Sequence, residues 1–361
     1  MEPVEPDNDA LSSKTAEPDP DWTPTENPNA TVVPGKMRSD REEIPAPFTK
    51  ADADKAEPLE AKTRAQRAAL TAGCQVYWPS PYEVCGAIRD KYNALGGPGS
   101  FLSFPNSAEL TNPGNTGKRT QFLNGPIYWS SATGAHPVVN SFLNRWGVNG
   151  YETGWLKYPT TDEIVLPDGG RRQEFQFGAI YVAFQNAVGS AIRNGPIRDK
   201  WNSVGAQAGP LGYVSSDEIP VTKNNGRYNN FVNGTITWSQ PTGARLLFAA
   251  IRDRWYSFGR EDGAMGYPTA DEQVLPDGVG HRATFQDGTA IYSYPVVGAW
   301  RVSSALMTLW GSEGYESGAQ GYPIENFRTN AAQGITEIQR FQKGLLTLED
   351  ANNGYVAFYA P

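Results

Sequence analysis

The sequence predicts a mainly β protein with short helices, built from five repeats of about 54 residues that close into a five-bladed, propeller-like ring after a disordered tail. Three observations predict this class. Aromatic residues make up 12% of the chain and occur with 38 glycines and 28 prolines, which favours many short strands joined by turns. A short motif recurs at a constant interval, as in repeat architectures. The first 70 residues differ in composition from the rest.

Residues 1–70 are predicted to form an acidic, proline-rich, disordered linker or tail. They have a net charge of −6 and include ten of the 28 prolines, so they offer little apolar surface to offset the entropy lost on ordering. Their alanine-rich part, 51–70, is compatible with a short helix. The start of the chain has neither a basic nor an apolar leader segment, so a secreted form is expected to be a mature or excised chain.

Residues 71–361 are predicted to form the repeat domain. The motif Leu102-Ser103-Phe104-Pro105 recurs four times, at intervals of 54 or 55 residues. An aromatic residue precedes each copy by ten positions, and an apolar residue lies four positions earlier, as in Ile88 and Tyr92. This spacing places both side chains on one face of a short helix. The predicted repeats are approximately 88–138, 139–191, 192–246, 247–300 and 301–361.

A glycine is predicted to end each helix in a left-handed turn: Gly96, Gly147, Gly205, Gly259 and Gly311. Turn signals and strands follow each motif copy. Residues 74–87 resemble the end of a repeat that the chain does not otherwise contain. As a spare strand they would complete the fifth repeat and close the ring, which removes exposed sheet edges.

These units resemble the LGFP repeat over five consecutive copies, from residue 88 to the end. Two copies depart from the motif, with Val214 in place of its proline and Gln320 in place of its leucine. The resemblance implies a secreted envelope protein of mycolic-acid-containing actinobacteria, where such repeats follow mycolyltransferase or amidase domains. It also implies a cell-wall polysaccharide partner such as arabinogalactan or a glycan linked to peptidoglycan.

Cys74 and Cys85 are the only cysteines and bracket the spare strand. A disulfide between them would indicate an oxidising compartment, whereas the alternative is two buried free thiols. Two cysteines and two histidines are too few for a zinc cluster, and no metal or cofactor is expected. His136 and His281 are interpreted as turn or surface residues.

Paired carboxylates follow the motif in several repeats. Asp162 with Glu163, Asp217 with Glu218, and Asp271 with Glu272 share one offset, and Glu109 is the counterpart in the first repeat. Turn capping is the favoured interpretation, because such carboxylates accept backbone N–H bonds. Glycan or cation contact is the second interpretation, and glycosidase catalysis is the third. Because the pair is the same in three repeats, distinct acid and base roles are not favoured.

An aromatic column is predicted on the final strand of the repeats. Its members are Trp78, Trp129, Trp238 and Tyr292. Flat aromatic rings suit either packing between blades or stacking on sugars. The column and the carboxylates Asp162, Glu163, Asp217 and Asp271 are the candidate glycan-binding residues.

Together with the setting that the LGFP resemblance implies, the sequence predicts a non-catalytic, secreted module that anchors a protein to envelope polysaccharide. No Gly-x-Ser-x-Gly or His-Glu-x-x-His motif is present, and no catalytic residue is assigned. The nearly neutral repeat region lacks the cationic surface that nucleic-acid binding requires, and the longest apolar stretch, 246–251, is too short to span a membrane. The alternatives are a docking scaffold for an envelope enzyme and a propeller glycan hydrolase.

Overall fold

The structure is a computed structural model that describes residues 23–68, 73–185, 187–330 and 335–349. The chain divides into two compact units, Met1–Gly189 and Ser190–Pro361. The described residues form mainly β structure with repeated antiparallel sheets. They also include six helices, namely α1 Lys50–Ala68, α2 Gly86–Ala94, α3 Asn140–Val148, α4 Pro196–Ser203, α5 Ala249–Ser257 and α6 Ser304–Ser312.

The strands of the first unit begin with a disulfide-linked hairpin, which a four-stranded sheet and three further strands follow. They are β1 Cys74–Tyr77, β2 Ser80–Cys85, β3 Leu110–Thr111, β4 Lys118–Phe122, β5 Gly125–Ser130, β6 Gly134–Pro137, β7 Ile164–Val165, β8 Arg171–Phe175 and β9 Gly178–Val182. Neighbouring strands within each sheet pair in sequence order and antiparallel.

The second unit repeats this meander. Its strands are β10 Ser190–Arg193, β11 Ile219–Pro220, β12 Arg227–Phe231, β13 Gly234–Ser239, β14 Gly243–Phe248, β15 Gln273–Val274, β16 His281–Thr284, β17 Ala290–Tyr294, β18 Gly298–Val302, β19 Arg328–Asn330, β20 Ile335–Phe341 and β21 Gly344–Glu349. The predicted fifth repeat is represented by α6 and β19–β21, and its last residues, 350–361, lie outside the described part of the chain. The closure of a ring stays a prediction.

Each repeat builds its core from its helix, the first residue of the motif and the strands that follow. In the first repeat the members are Ile88, Tyr92, Leu102, Phe122 and Ile127, none more than 3% exposed. In the fourth repeat their counterparts are Ile251, Trp255, Met265, Phe285 and Ile291. The apolar and aromatic positions of the helix therefore face the core, as their spacing predicts.

The second motif position needs a left-handed backbone. Ser103 and Lys157 have φ of 59°, and Gly212 and Gly266 have φ of 69° and 70°. This turn aims the carbonyl at the helix, where it accepts the indole N–H of the core tryptophan. The distance is 3.1 Å from Trp201 to Gly212 and 2.9 Å from Trp255 to Gly266. Glycine adopts this conformation at the lowest cost, which accounts for its use in the motif.

The motif tyrosine contacts the preceding repeat. The hydroxyl of Tyr267 donates to the carbonyl of Lys223 at 2.8 Å, and the hydroxyl of Tyr322 donates to Asp277 at 2.5 Å. The chain approaches these hydroxyls so closely that a Cβ on Gly280 would lie 1.8 Å from Oη of Tyr322. Glycine before the second strand of a repeat is thus required by the motif of the next repeat.

Two of the five glycines that were predicted to end a helix lie inside the helix instead. Gly147 and Gly311 are inside α3 and α6. The left-handed residues are Gly150 and Gly314, with φ of 87° and 95°. The helices of these two repeats therefore run further than predicted, and a Cβ on Gly147 or Gly311 would meet the tyrosine four residues later.

The N-terminal segment differs from the predicted disorder. Residues 37–68 include α1, which packs against the β1–β2 hairpin and fully buries Ala53 and Ala56. The Glu57 carboxylate accepts the backbone N–H of Arg38 at 2.7 Å and of Thr25 at 3.0 Å. Small alanine side chains allow close approach, and the buried acid is compensated by backbone donors. Residues 1–22 lie outside the described residues.

Candidate functional site

An acid–base pair recurs beside the helix in four repeats. It joins the glutamate that follows the motif to the first residue of the second strand. Lys118 pairs with Glu109 and Arg171 pairs with Glu163. In the third repeat Nη1 of Arg227 lies 3.4 Å from Oε1 of Glu218, and in the fourth Nδ1 of His281 lies 2.9 Å from Oε1 of Glu272.

Strand register places a third side chain next to each pair. Lys118 is the cross-strand partner of Trp129, and Arg227 is the partner of Trp238. The counterparts in the second and fourth repeats are Val182 and Ser293. We call each acid–base pair, together with this third side chain, a repeat groove. Trp129 and Trp238 are both half-buried.

Tyr292 does not belong to this column. Its strand partner is Arg282, so it is one residue out of register with Trp129 and Trp238. Since successive strand residues face opposite sides of a sheet, this offset turns the ring to the other face. Tyr292 is 1% exposed and packs edge-on against Trp310, with ring centroids 4.8 Å apart. Its position is therefore a core position.

Trp78 lies in the turn between β1 and β2. Its neighbour Tyr77 packs edge-on against Tyr92, with ring centroids 4.9 Å apart, as Tyr292 does with Trp310. The guanidinium of Arg38 lies 4.0 Å from the Trp78 ring centroid, in cation–π range. The N-terminal segment thus covers a ring that the sequence places among the glycan candidates.

The three candidate aspartates hold adjacent repeats together. Asp217 accepts the backbone N–H of Ala191 at 2.7 Å, and Asp271 accepts that of Leu246 at 3.1 Å. Asp271 also pairs with Lys200 at 2.8 Å. Each partner lies on the last strand or the helix of the preceding repeat. These carboxylates bind backbone donors, as capping residues do, but across a repeat boundary.

Asp162 makes the equivalent contacts with side chains. Its oxygens lie 2.9 Å from Nζ of Lys91 and 2.7 Å from Nδ1 of His136. Burial raises the pKa of Asp162, but the hydrogen bonds from His136 and Lys91 outweigh it and hold the pKa below its usual value. Asp162 is therefore charged at neutral pH.

The groove of the second repeat is larger than those of the first and fourth repeats. Asp162, Glu163 and Arg171 line it with Leu95 and Phe101, and its volume is about 470 Å³. The groove of the first repeat has about 170 Å³, between Trp129, its acid–base pair and the start of α2. Phe101 is 53% exposed, and it is not among the residues predicted from the sequence to bind a ligand. The signal in the sequence was an aromatic residue directly after the glycine-rich turn that follows a helix.

Comparison with known families decides the identity of the repeats. The model of the LGFP repeat matches residues 102–154, 156–209, 211–263 and 265–318. The chain belongs to the LGFP repeat family. A fifth copy lies beyond the matched segments, yet it keeps the bridge between the fourth motif residue and the strand phenylalanine, here Pro323 and Phe341, that the four matched repeats share.

No curated protein matches the chain. Two solved structures are similar in part. They are described as extracellular domains of a one-component system and of a hybrid two-component system from B. thetaiotaomicron, and are 9% and 10% identical to the LGFP chain. The alignments cover 69% and 71% of this chain but 36% and 28% of those chains, so it spans about a third of their lengths. The TM-scores are 0.15 and 0.14.

The two cysteines of the LGFP chain form a disulfide, which is one of the two states predicted from the sequence; the other was a pair of buried free thiols. Cys74 and Cys85 are cross-strand partners in the β1–β2 hairpin and are bonded to each other. Glu83 lies beside them, but both sulfurs are engaged in the disulfide. Among the described residues, no helix is long and apolar enough to cross a membrane.

The groove of the fourth LGFP repeat carries the one histidine-containing pair among the described grooves. Glu272 is buried and accepts the backbone N–H of Phe248 at 2.7 Å. Burial raises the pKa of Glu272 to about 7, although the bond from Phe248 opposes the shift. Nδ1 of His281 lies near this carboxylate without hydrogen-bond geometry.

Replacing Glu272 by glutamine is expected to raise thermal stability at pH 8 and to change it little at pH 5. A carboxyl whose folded pKa exceeds its unfolded value stabilises the fold below about pH 4.5, and this stability is lost as the pH rises through about 7. The expected loss between pH 5 and pH 8 is roughly 2 to 3 kcal/mol, because each unit of difference between the folded and unfolded pKa is worth about 1.4 kcal/mol and part of the loss has already occurred at pH 5. Thermal melts of wild type, Glu272→Gln and the exposed control Glu26→Gln at both pH values test this. An equal effect of Glu272→Gln at pH 5 and pH 8 would contradict it.

Proposed function

We propose that the LGFP repeats form a non-catalytic module that binds a polysaccharide of the cell envelope, with arabinogalactan as the first candidate. The observation that carries the proposal is the repeat groove, in which a carboxylate, a cationic or imidazole side chain and, in two repeats, an indole ring meet beside a helix. The closed five-bladed ring and the actinobacterial setting that the sequence suggests stay part of this proposal.

The chemistry of the groove suits a neutral sugar. Hydroxyl groups of a sugar donate to a carboxylate and accept from a lysine or arginine, so both members of the pair find partners. The indole of Trp129 or Trp238 offers an apolar face bordered by polar groups, which fits the face of a sugar ring. The net charge of −2 on residues 71–361 gives no strong attraction to a charged polymer.

Repetition adds affinity without a strong single site. A polymer that occupies one groove presents its next sugars to other grooves at high effective concentration, so weak contacts multiply. The Cys74–Cys85 disulfide supports a location in an oxidising compartment, such as outside the cytoplasm.

Retention of the whole chain on cell-wall material tests the proposal. We expect retention on insoluble arabinogalactan–peptidoglycan and release when the arabinogalactan is stripped. The double variant Trp129→Ala with Trp238→Ala is expected to bind about 30-fold more weakly, since each aromatic contact contributes about 1 kcal/mol. Trp300→Ala is the matched control, because Trp300 is half-buried on β18 outside the repeat grooves.

The outcomes separate the alternatives. Equal retention on both materials would move the partner to peptidoglycan. Retention on neither, with a stoichiometric complex with a mycolyltransferase or amidase, would favour a docking scaffold. Soluble sugar released by the wild type, but not by Glu163→Gln, would replace binding with hydrolysis.

A further inference from the structure

We infer that a second pocket, formed where the first and second repeats meet within the first unit, binds a sugar ring of the same polymer. The inference rests on the proposed function for its ligand class. The pocket has a volume of about 420 Å³ and is lined by Arg119, Gln121, Tyr128, Tyr151 and Glu152, among others. None of these residues belongs to a repeat groove or was singled out from the sequence.

The carboxylate of Glu152 is the unusual group in this pocket. Glu152 is 7% exposed, and its Oε2 has no hydrogen-bond partner among the described residues. A buried carboxylate oxygen that lacks a donor is costly, because it has lost water without gaining a replacement. A ligand hydroxyl in the pocket would supply the missing donor.

The fourth repeat shows how the chain satisfies the same position when no ligand is needed. Its counterpart of Glu152 is Glu261, which is 2% exposed. The neighbouring Arg260 donates to both carboxylate oxygens, at 2.9 and 3.2 Å, and its guanidinium lies 4.0 Å from the ring centroid of Tyr228. The fourth repeat thus fills this site with its own side chain.

The second repeat has Tyr151 at the position of Arg260. The Tyr151 ring packs edge-on against Trp146, with centroids 5.5 Å apart, and over Gly147, where a Cβ would lie 2.7 Å from its hydroxyl. Held in this way, the ring is 43% exposed and cannot donate to Glu152 as the guanidinium does to Glu261. The pocket therefore combines a fixed aromatic face with an unsatisfied acceptor.

The remaining lining selects a neutral polyhydroxylated ligand. Arg119 supplies a cation, and its Nη1 donates to Asn112 at 2.6 Å. Burial, followed by the charge of Glu152, raises the pKa of Tyr128 to about 12, so this phenol stays protonated. A cationic ligand would meet Arg119 and an anionic one would meet Glu152, whereas a sugar both donates to Glu152 and accepts from Arg119 or Gln121.

The inference is tested by a variant that places an arginine in the pocket, as Arg260 is placed in the fourth repeat. Tyr151→Arg places a guanidinium beside Glu152, and Tyr315→Arg is the matched control, because Tyr315 packs on Trp310 and Gly311 in the same way. Both are made in the full chain carrying Trp129→Ala and Trp238→Ala, so that the repeat grooves contribute little. The probes are an arabinofuranosyl hexasaccharide and a galactofuranosyl tetrasaccharide, measured by calorimetry and ligand-observed NMR.

We expect Tyr151→Arg to weaken binding of one probe at least tenfold without lowering the melting temperature, and Tyr315→Arg to leave it unchanged. Glu152→Gln, which alters the acceptor alone, should weaken it severalfold and serves if the arginine variant does not fold. Equal affinity of all variants would overturn this inference and leave the proposed function standing. The same conclusion would follow if neither probe bound while the wild type was retained on cell-wall material. Failure of both probes and wall material would overturn both.

Discussion

Replacing Gly280 by alanine is expected to destabilise the second unit by about 3 kcal/mol, near the upper end of the usual cost of overpacking. The new Cβ would lie 1.8 Å from Oη of Tyr322 and 2.5 Å from its Cζ. Tyr322 has little room to retreat, since it stacks on Tyr294 with centroids 4.5 Å apart and donates to Asp277. Urea unfolding followed by fluorescence measures the change.

A double-mutant cycle identifies the cause. Tyr322→Leu removes the ring atoms that obstruct the new methyl group, so Gly280→Ala should cost little in that background. Gly99→Ala is the control, because a Cβ there meets no atom within 4 Å, and its effect should stay within about 0.5 kcal/mol. Additive costs for Gly280→Ala and Tyr322→Leu would show that the glycine is not required by the tyrosine.

Removing the disulfide by the double variant Cys74→Ser with Cys85→Ser is expected to cost about 3 kcal/mol. The bond closes a loop of residues 11 apart in sequence, and loop-closure entropy of that length gives this magnitude. Tyr77 and Val84 of the hairpin belong to the core of the first repeat, so the loss should extend to α2. Thermal melts with and without reductant measure it.

The control for this prediction is internal. Reductant should lower the melting temperature of the wild type to that of the double variant and leave the double variant unchanged. A wild type that melts at the same temperature in both conditions would show that the hairpin is held by packing alone.

The repeat architecture could be predicted from the sequence because period and core coincide. The interval of 54 or 55 residues recurs in Leu102, Leu156 and Leu211, and each of these leucines is fully buried. Apolar residues four apart place themselves on one helix face without further information. Local rules were therefore sufficient for the buried face of the helices and for the order of elements, but not for the ends of α3 and α6.

The aromatic column shows where such rules fail. Trp129 and Tyr292 occupy similar positions in the sequences of their strands, but pairing with Lys118 and with Arg282 reveals a shift of one residue. Register depends on partners in other strands, which a single strand does not reveal. Consequently two of the four predicted column members, Trp78 and Tyr292, lie outside the repeat grooves.

The packing of the N-terminal helix on the hairpin and the Glu152 pocket escaped prediction for a related reason. The composition of residues 1–70 argues against a core. However, α1 packs through buried alanines, and its buried glutamate accepts hydrogen bonds from backbone N–H groups. For the pocket, the signal was a change at one position between repeats, from arginine at 260 to tyrosine at 151. That change acquires meaning only when the buried glutamate beside it is seen.

Because the helix and the motif share one core, the repeat defined by the sequence motif and the structural unit have different boundaries. The first family repeat begins at Leu102, but the helix residue that packs on this leucine is Ile88, 14 positions earlier. A segment exchanged between genes at the family boundaries would therefore carry one half of a core at each end. At each new junction, the first motif residue, a leucine or methionine, would have to pack against a helix tryptophan or tyrosine from a different repeat. The module that recombination can move freely begins at the helix, and it is not the one that the sequence motif delimits.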